Sequence, residues 1–388
     1  MTKLEQLIQD LCPNGVKMVS VSSLIKTKLI NVISASIKIK RNEYLAEGTT
    51  PIVSQEEEYI SGYTNITDDK IKAGEYVCFG DHSEHFKYVD FAFVQGADGL
   101  KILNTDQSAL NTKYFYYACC NFYKKHCNYE RHYKYLAELQ IPLPPLAVQS
   151  EIVRLLDKFT LYKSELAAEL AARCKQYEHY RNQLLTFDEN TKRVKLGEIG
   201  EFIRGNGLQK KDFTEEGFPC IHYGQIHTYY GTYTTKTKSF VQDPLYSKLR
   251  KAKKGDLVIA TTSEDAAGVC KAVAWLGDEE VAISGDAYIF RHNQNPKYIA
   301  YLFQTDLFYQ FKKKVVTGTK VIRVSGESMQ KFEFPLPPLE VQERIVTILD
   351  RFDALCNDIK IGLPAEIELR QKQYEHYRDK LLTFEAKG

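Results

Sequence analysis

The chain has 388 residues, a formal net charge of +2 and 26% charged residues. This length allows two or three domains with cores of their own, and a charge so near zero neither requires nor excludes a polyanionic partner. The sequence has no N-terminal apolar run and no stretch of eighteen apolar residues. This argues against a signal peptide and a membrane span, so we expect a cytoplasmic protein without membrane contacts. Its nine cysteines include no CxxC pair, which favours free thiols.

The first predicted element is a short amphipathic helix at 3–11, ended by the sequence Pro-Asn-Gly. A strand-rich segment follows as far as about Gln140. Short apolar runs at 76–79, 91–94 and 100–103 alternate there with glycines. One helix is predicted near its end, at 114–125. We assign residues 1–140 to a first domain that includes the N-terminal helix.

Residues 141–187 form the first helical arm and read IPLPPLAVQSEIVRLLDKFTLYKSELAAELAARCKQYEHYRNQLLTF. Apolar residues recur after four or three positions, as in Ile152, Leu155, Phe159, Tyr162 and Leu166, which predicts a long helix with one apolar seam. Such a seam requires a partner. The arm is assigned to 141–193.

The second domain, at 194–333, repeats the plan of the first. KAGEYVCFG in the first domain is similar to KKGDLVIAT in the second, and GADGLKIL occupies the place of SGDAYIFR. A helix is again predicted near the end, at 296–314. Because the two segments otherwise diverge, we infer one fold with two different surfaces.

The second arm, at 334–388, repeats the first: both contain PLPPL, VQ, IV, LD, a phenylalanine, KQYEHYR and LLTF. Four additional residues around Gly362 lengthen the second copy, and Pro364 is expected to kink or interrupt the helix. Two equivalent seams in one chain can satisfy each other by antiparallel packing. We therefore predict an α+β fold in which two similar domains alternate with two long helices that pair as an antiparallel coiled coil. The alternative is a helical hairpin within a larger core.

Basic and hydrogen-bonding side chains recur in both domains, which suits a rod-like polyanion such as DNA better than any one charge cluster would. Lysine and arginine anchor phosphates, whereas Gln, Asn, Ser and His read base edges. The candidates in the first domain are Lys38, Lys40, Arg41, Gln55, Tyr59, Ser83, His85, Lys87, Arg131, His132 and Lys134. Those in the second are Arg204, Asn206, Lys210, Lys211, His222, Tyr223, Gln225, His227, Thr262, Ser263, Lys313, Lys320 and Arg323.

Motifs for catalysis are missing from the sequence. It has no GxxxxGK[ST] loop for a nucleotide and no paired acid and lysine pattern typical of nucleases. The two Pro-Pro-Leu sequences lack the amide or carboxylate that an amino-methyltransferase needs, because Leu143 and Leu336 stand at that position. His82 and His85, with the acids beside them, form a loose cluster that we interpret as a polar loop rather than a metal site. We predict no catalytic residue and no metal.

The doubled PLPPL-x-VQ-x-x-IV and KQYEHYR-x-x-LLTF motifs, with the alternation of domains and arms, resemble the specificity subunits of type I restriction-modification enzymes. This resemblance covers essentially the whole chain, and ELAAELAA at 165–172 is similar to the spacer repeats of some members. It implies that each domain reads one half of a split, asymmetric site in double-stranded DNA. The arms would dock two modification (methyltransferase) subunits. Adenine methylation with S-adenosylmethionine takes place in those subunits, and restriction and motor subunits complete the assembly.

The resemblance thus implies a non-catalytic chain that holds no cofactor itself. We expect the repeated arm motifs to supply the subunit-docking residues, namely Pro144, Pro145, Gln149, Tyr177, Tyr180, Pro337, Pro338, Gln342, Tyr374 and Tyr377. The alternative function is a cytoplasmic adaptor whose paired domains bind proteins and whose arms serve only for dimerisation.

Overall fold

The computed structural model describes residues 2–96, 99–188, 191–357 and 361–385. It consists of two compact units, one formed by Met1–Glu165 with Glu368–Gly388 and the other by Leu166–Ile367. Each unit combines one β-rich domain with two helical segments from different parts of the chain. No helix in the described ranges is both long and apolar enough to cross a membrane.

The domain of the first unit begins with a helix whose N-terminus is capped by Thr2 and Glu5, each side chain bonding the other's backbone N–H. Asn111 caps the helix that follows the main sheet. The helices are α1 (Lys3–Leu11), α2 (Val21–Lys26), α3 (Thr112–Phe122) and α4 (Tyr133–Glu138), and a 3-10 helix spans Arg41–Glu43. The strands are β1 (Met18–Ser20), β2 (Ile30–Ile33), β3 (Lys38–Ile39), β4 (Thr50–Val53), β5 (Gly62–Thr64), β6 (Tyr76–Gly80), β7 (Phe86–Val89), β8 (Val94–Gly96), β9 (Leu100–Thr105) and β10 (Gln140–Pro142).

Two four-stranded sheets form this domain, with strand orders β2-β9-β6-β7 and β3-β8-β4-β5. The first is antiparallel, whereas β8 runs parallel to both of its neighbours in the second. β1 and β10 pair in register Val19↔Ile141, which brings the two ends of the domain together. Val77, Phe79 and Leu103 lie in the core between the main sheet and the helices.

The second unit repeats this plan, and Pro296 at the first turn of one of its helices is preorganised for that position. Its helices, with those of the arms, are α5 (Leu146–Leu184), α6 (Leu196–Ile199), α7 (Tyr223–Thr228), α8 (Leu245–Lys248), α9 (Pro296–Leu302), α10 (Asp306–Val315), α11 (Gly326–Gln330), α12 (Leu339–Asn357) and α13 (Leu363–Leu382). A second 3-10 helix spans Lys210–Asp212. The strands are β11 (Arg193–Lys195), β12 (Gly200–Arg204), β13 (Phe218–Ile221), β14 (Tyr233–Thr234), β15 (Ser239–Val241), β16 (Lys251–Ala252), β17 (Leu257–Ala260), β18 (Thr262–Ser263), β19 (Lys271–Trp275), β20 (Val281–Ile283), β21 (Ala287–His292), β22 (Ile322–Arg323) and β23 (Glu333–Pro335).

The sheets of the second domain have orders β12-β21-β17-β19-β14 and β15-β13-β20-β16. β11 pairs with β23 in register Val194↔Phe334, as β1 pairs with β10 in the first domain. Ile259, Ala272 and Phe290 lie in the core that also receives arm residues such as Leu349. The order β2-β9-β6-β7 of the first main sheet therefore recurs as β12-β21-β17-β19 in the second, with β14 added at the edge. The smaller sheets differ at one edge, where β3 runs parallel to β8 but β16 runs antiparallel to β20.

Antiparallel helix pairing occurs within each unit. In the first unit, Phe159 of α5 stacks on Tyr377 of α13 with ring centroids 5.2 Å apart, and Lys163 donates to Gln371 at 2.6 Å. In the second unit, α5 lies against α12, and the ring centroids of Tyr180 and Phe352 are 5.5 Å apart. The α+β class, the two similar domains and the antiparallel pairing predicted from the sequence are confirmed.

Two details differ from the sequence predictions. The helix expected at 296–314 is two helices, α9 and α10, because Thr305 caps a new start. The strand expected at 91–94 begins only at Val94. The interruption expected near Pro364 is confirmed, since α12 ends at Asn357 and α13 starts at Leu363. The apolar repeat of the second arm, continued from Phe352 and Leu355, also predicts Ile359 as a seam residue, but Ile359 lies outside the described residues.

Candidate nucleic-acid interface

One end of each main sheet faces a helical arm, and the opposite end carries many of the predicted DNA-binding residues. In the second domain the arm end is marked by Asn295, whose N–H donates to Gln342 of α12 at 3.1 Å. β12 and β17 end at the other side, where Arg204 lies opposite Tyr288 and Ala260 lies opposite Ala287. The first domain has the same arrangement, with the N–H of Asn111 bound to Gln149 of α5 at 2.9 Å.

Glu84 organises this free end in the first domain. It lies in the turn after β6, is buried, and accepts N–H bonds from His126 at 2.9 Å and Cys127 at 2.8 Å and a hydroxyl bond from Tyr123 at 2.7 Å. Burial alone would raise the pKa of Glu84, but the bonds from His126, Tyr123 and Cys127 lower it to about 2. The carboxylate therefore stays ionised and fixes the loop at 123–132.

Asp81 and His132 complete this anchoring. The N–H of His132 donates to the Asp81 carbonyl at 2.8 Å, and the N–H of Tyr133 donates to the Asp81 carboxylate at 2.8 Å. The described residues contain no group of His, Cys, Asp and Glu side chains arranged to hold a metal. Asp81 and Glu84, which the sequence interpretation placed in a polar loop, thus hold the neighbouring loop at 123–132 in position.

The anchored loop presents basic and aromatic side chains to solvent. Arg131 and Lys134 are exposed, and Tyr129 is 97% exposed while it stacks on His82 with ring centroids 5.6 Å apart. His132, predicted as a DNA contact, is fully buried. This burial contradicts the prediction for His132, because its ring cannot reach DNA without loss of the loop structure.

A second loop, at 54–61, lies beside the turn after β6. Ser83 donates to the Gln55 carbonyl, the Gln55 side chain accepts from the N–H of His82 at 3.2 Å, and the Tyr59 hydroxyl donates to the Tyr88 carbonyl at 2.7 Å. Lys87 is buried and donates to the carbonyls of Ser54 and Glu58. Lys87 is therefore an internal anchor of this loop, not the phosphate contact that the sequence predicted.

His85 borders the same loop and lies near Lys125, whose ammonium is 3.5 Å from the His85 ring nitrogen. Burial, and then the charge of Lys125, lower the pKa of His85, so the ring is neutral at neutral pH. A neutral imidazole can donate and accept one hydrogen bond each, which suits a base edge better than a phosphate.

The 3-10 helices place basic residues at the same point of both domains. The first precedes β4, which pairs in parallel with β8, and the second precedes β13, which pairs in parallel with β20. An acid at the end of each 3-10 helix accepts the N–H of the residue just before the helix: Glu43 accepts from Lys40 at 3.0 Å, and Asp212 accepts from Gln209 at 2.8 Å. Lys40 and Arg41 of the first domain are exposed, as are Lys210 and Lys211 of the second, and Lys38 projects from the adjacent strand. Arg41 also pairs with Glu56 at 3.1 Å.

Arg204 and Asn206 lie at the free end of the second domain. Arg204 donates to the Gly285 carbonyl at 3.0 Å, and the Asn206 side chain bonds the Lys248 carbonyl and the N–H of Arg250. Arg250 is exposed and donates back to the Arg204 carbonyl at 2.7 Å. Arg250 lies within the basic stretch 248–254, which the sequence suggested as a DNA-contacting cluster, but it was not among the residues predicted individually.

The polar side chains around α7 are mostly engaged within the domain. His222 is buried and accepts from the Gly224 N–H at 3.1 Å, and burial lowers its pKa. Gln225 donates to Ser239 at 2.6 Å, and His227 contacts the Thr262 carbonyl at 3.0 Å. His222, Gln225 and Thr262 are better explained as supports of this surface than as DNA contacts. Tyr223 and His227 are half-buried, and their role as DNA contacts stays a prediction.

The hairpin that contains β22 contributes the remaining cations. Arg323 pairs with Thr262 in the β18–β22 ladder, beside Ser263, and both Arg323 and Lys320 are exposed. Lys313 on α10 is exposed, but its neighbour Lys312 is buried and donates to the carbonyls of Ala267 and Val269 at 2.7 and 2.9 Å. Lys312 thus supports the loop after β18, as Lys87 supports its loop in the first domain.

Comparison with known proteins identifies the family of this chain. Two segments, 26–176 and 188–369, match the model of the type I restriction modification DNA specificity domain. The chain belongs to this family.

Among its relatives is the specificity subunit of a type I restriction enzyme of Escherichia coli, which is 34% identical over 373 residues, covering 89% of this chain and 90% of that protein. Two solved structures share the fold. One is the type I restriction-modification S subunit of M. genitalium, with a TM-score of 0.55, 17% identity and 99% of each chain covered. The other comes from a study of complex assembly and conformational transition in a type I restriction-modification system, with a TM-score of 0.61, 15% identity, and 96% and 98% covered.

The docking residues predicted for this specificity-subunit chain divide into two groups. Gln149, Gln342 and Tyr177 are buried, and Pro144 and Pro337 are buried as well, so these five pack within their own chain. This is a correction to their predicted role as contacts to other subunits. The accessible members are Pro145, Pro338 and Tyr377, with Tyr180 and Tyr374 partly covered.

Proposed function

We propose that this chain is the sequence-specific DNA-recognition subunit of a type I restriction-modification complex and that each domain reads one half of a bipartite, asymmetric site. The observation that carries the proposal is the duplicated domain with a basic, loop-built end opposite its helical arm. Family membership supports the same function. The differences between the two surfaces then account for an asymmetric site.

Exposed Lys and Arg residues anchor phosphates in this proposal, and the polar side chains that are held beside them read base edges. In the first domain these are Arg131, Lys134, Lys40 and Arg41, with the exposed ring of Tyr129. Arg204, Arg250, Lys211, Lys320 and Arg323 have this role in the second domain.

The partners are double-stranded DNA and the other subunits of the restriction-modification complex. In the finer form of the proposal, the helical arms dock two modification subunits. These bind S-adenosylmethionine and methylate adenine, and restriction subunits join them. The chain itself supplies recognition and assembly, and the chemistry takes place in its partners.

Methylation mapping tests the proposal directly. Cells that express this chain with its cognate modification subunit should contain a split methylated motif, and cells without the chain should contain none. A co-purifying, active methyltransferase that produces no motif would contradict the proposal and favour the protein-binding adaptor.

Salt dependence offers a second test. Binding of the assembled complex to its target should weaken steeply as salt rises, because each phosphate contact releases counterions. An affinity that is insensitive to salt would favour the adaptor.

A further inference from the structure

A short motif that the repeats of the arms do not include joins each recognition domain to a helical arm. The sequence Asn-x-Lys-Tyr-x-x-Tyr occurs at 111–117, where it starts α3, and again at 295–301, where it starts α9. Each of its polar residues makes the same contact in both copies. We call the two sets of contacts the first joint and the second joint.

The asparagine of each motif forms one part of the joint. Its side chain caps the domain helix, and its N–H donates to the buried glutamine of the arm, Asn111 to Gln149 at 2.9 Å and Asn295 to Gln342 at 3.1 Å. The glutamine side chains in turn donate to the carbonyls of the proline turns, at 2.8 and 2.9 Å. A hydrogen-bonded chain therefore links the domain helix, the arm helix and the PLPPL turn.

The lysine and tyrosines form the rest of the first joint. Lys113 pairs with Asp157 of α5 at 2.8 Å, and the Tyr117 hydroxyl donates to the same carboxylate at 2.7 Å. The buried Tyr114 donates to the Pro142 carbonyl at 3.0 Å. A single carboxylate on the arm thus receives two bonds from one face of α3.

The second joint repeats these contacts. Lys297 pairs with Asp350 of α12 at 2.7 Å, and the Tyr301 hydroxyl donates to Asp350 at 2.8 Å. The buried Tyr298 bonds the Pro335 carbonyl at 3.4 Å. Lys297 and Asp350 are each less than one-third exposed, so the pair is partly shielded from water and holds its geometry better than a surface ion pair.

A second arm helix in each unit, α13 in the first and the end of α5 in the second, contacts the domain near α3 or α9 through its KQYEHYR sequence. Arg378 of α13 lies over Tyr374 and donates to Asn121 of α3 at 2.9 Å. Arg181 of α5 lies over Tyr177 and contacts Gln304 after α9 at 3.3 Å. Two arm helices therefore contact each recognition domain, which restricts rotation of the domain relative to the arms about more than one axis.

The joints lie at the arm end of each main sheet, and the proposed DNA-reading loops lie at the other end. A strand of six residues such as β9 spans roughly 20 Å. A rotation of about 5° at the joint would displace the far loops by about 2 Å, more than a hydrogen bond to a base edge tolerates. Small changes at the joint are thus amplified at the recognition surface.

We propose that the two joints are positioning elements for DNA specificity, each of which sets the orientation of one recognition domain and so the accuracy with which one half-site is read. This inference rests on the proposed function. It assigns Lys113, Tyr117 and Asp157 to one half-site and Lys297, Tyr301 and Asp350 to the other.

The test measures methylation rates of the assembled complex on duplexes that each carry one wrong base pair in one half of the target. Asp157→Ala should lower discrimination in one half-site by about tenfold or more, as expected for misplaced contacts, and leave the other half within about twofold. Asp350→Ala should have the opposite pattern. Asp157→Asn, which keeps a hydrogen-bond acceptor for Tyr117, should fall between the wild type and Asp157→Ala.

Two sets of variants keep the test decisive. Glu169→Ala removes an exposed pair with Arg173 on α5 and should change neither half-site. If the alanine variants fail to assemble, Tyr117→Phe and Tyr301→Phe remove one hydroxyl from each joint and should show the same half-site pattern more weakly. Equal changes in both half-sites, or no change, would overturn the positioning role. A wild-type complex without any split motif would instead overturn the proposed function beneath it.

Discussion

At the scale of single residues, burial separates cations that can meet DNA from cations that hold loops. Lys211 and Arg323 are exposed, whereas the ammonium groups of Lys87 and Lys312 donate to backbone carbonyls inside their domains. A buried ammonium that satisfies carbonyls releases no counterions when DNA binds. The two classes should therefore differ in their effect on salt dependence.

Lys211→Met should lower the slope of log affinity against log salt by about 0.9, the contribution of one phosphate contact. Lys87→Met should leave that slope unchanged and destabilise the first domain by about 1–3 kcal/mol, because two carbonyls lose their donor. Binding titrations over a salt series, with thermal unfolding of both variants, check this. The same slope change in both would contradict the assignment of Lys87 as a loop anchor.

Tyr129 is predicted to pack its ring against an apolar group in a groove of the duplex, such as a thymine methyl group. Its ring is 97% exposed on a loop that Glu84 and Asp81 hold in place, with Arg131 and Lys134 nearby. Complete burial of a large apolar side chain contributes about 1.5–3 kcal/mol, so Tyr129→Ala should weaken target binding by roughly tenfold. Tyr129→Phe keeps the ring and should bind almost as the wild type. Equal weakening in both variants would show that the hydroxyl, not the ring, matters.

At the scale of elements, the helical arms combine an apolar seam with a few buried polar groups. In the second unit, Asp353 of α12 accepts from Tyr177 at 3.4 Å and from Asn357 at 2.8 Å. Burial raises the pKa of Asp353 and the nearby charge of Asp350 adds to this rise. The hydrogen bonds from Asn357 and Tyr177 and the charge of Arg181 oppose it, and the pKa stays above its usual value. The corresponding residue of the first copy is Thr160, which bonds its own helix at 3.1 Å and carries no charge.

Asp353→Asn should therefore stabilise the chain at neutral pH. A raised carboxyl pKa means that the folded state binds more protons than the unfolded state, so the wild type loses stability as pH rises through the interval between the two pKa values. The amide still accepts from Tyr177 without an ionisation cost. We expect a gain of about 1 kcal/mol, or roughly 2–4 °C in Tm, at pH 7.

The same variant should gain little near pH 3, where the wild-type carboxyl is protonated in both states. Thermal unfolding from pH 3 to pH 7 checks whether the gain in stability grows with pH. The matched control is Asp10→Asn, at an exposed position of α1. A stabilisation that is independent of pH would show that the charge of Asp353 is not its cause.

At the scale of the whole molecule, the duplication offers the same docking face twice. Tyr162 of α5 and Leu355 of α12 occupy equivalent repeat positions and are 56% and 38% exposed, so the prediction that Tyr162 lies in the apolar seam is wrong. Each lies seven residues after an equivalent apolar residue, Leu155 or Ile348, so each pair lies on one helix face. Apolar side chains exposed at matching positions favour one kind of partner bound in two copies.

In the proposed assembly with two modification subunits, Tyr162→Lys and Leu355→Lys should each reduce the number of bound modification subunits from two to one, and the double variant should bind none. Mass measurement of the assembled complexes checks the stoichiometry. Leu161→Lys is the matched control, because Leu161 is 55% exposed but Ala354 stands at its equivalent position. Loss of a subunit in this control would contradict the assignment of the docking face.

The sequence by itself determined the duplication, the alternation of domains and arms, the helical nature of the arms and the break near Pro364. These features depend on local periodicity and on residues near each other in the chain. It also determined the family, through motifs that occur twice. The strands at 76–79 and 100–103 were predicted for the same reason, but the smaller sheet of each domain was not.

Only the tertiary structure decided which polar residues reach solvent. Lys87 is buried because it meets the carbonyl of Ser54, 33 residues away, and Gln149 because it meets Asn111, 38 residues away. The same composition rules that marked these residues as DNA or subunit contacts also mark Lys211 and Arg131, which are exposed. A side chain's type gives its chemistry, but its partners come from distant parts of the chain, so the division between contact and support appears only in the folded protein.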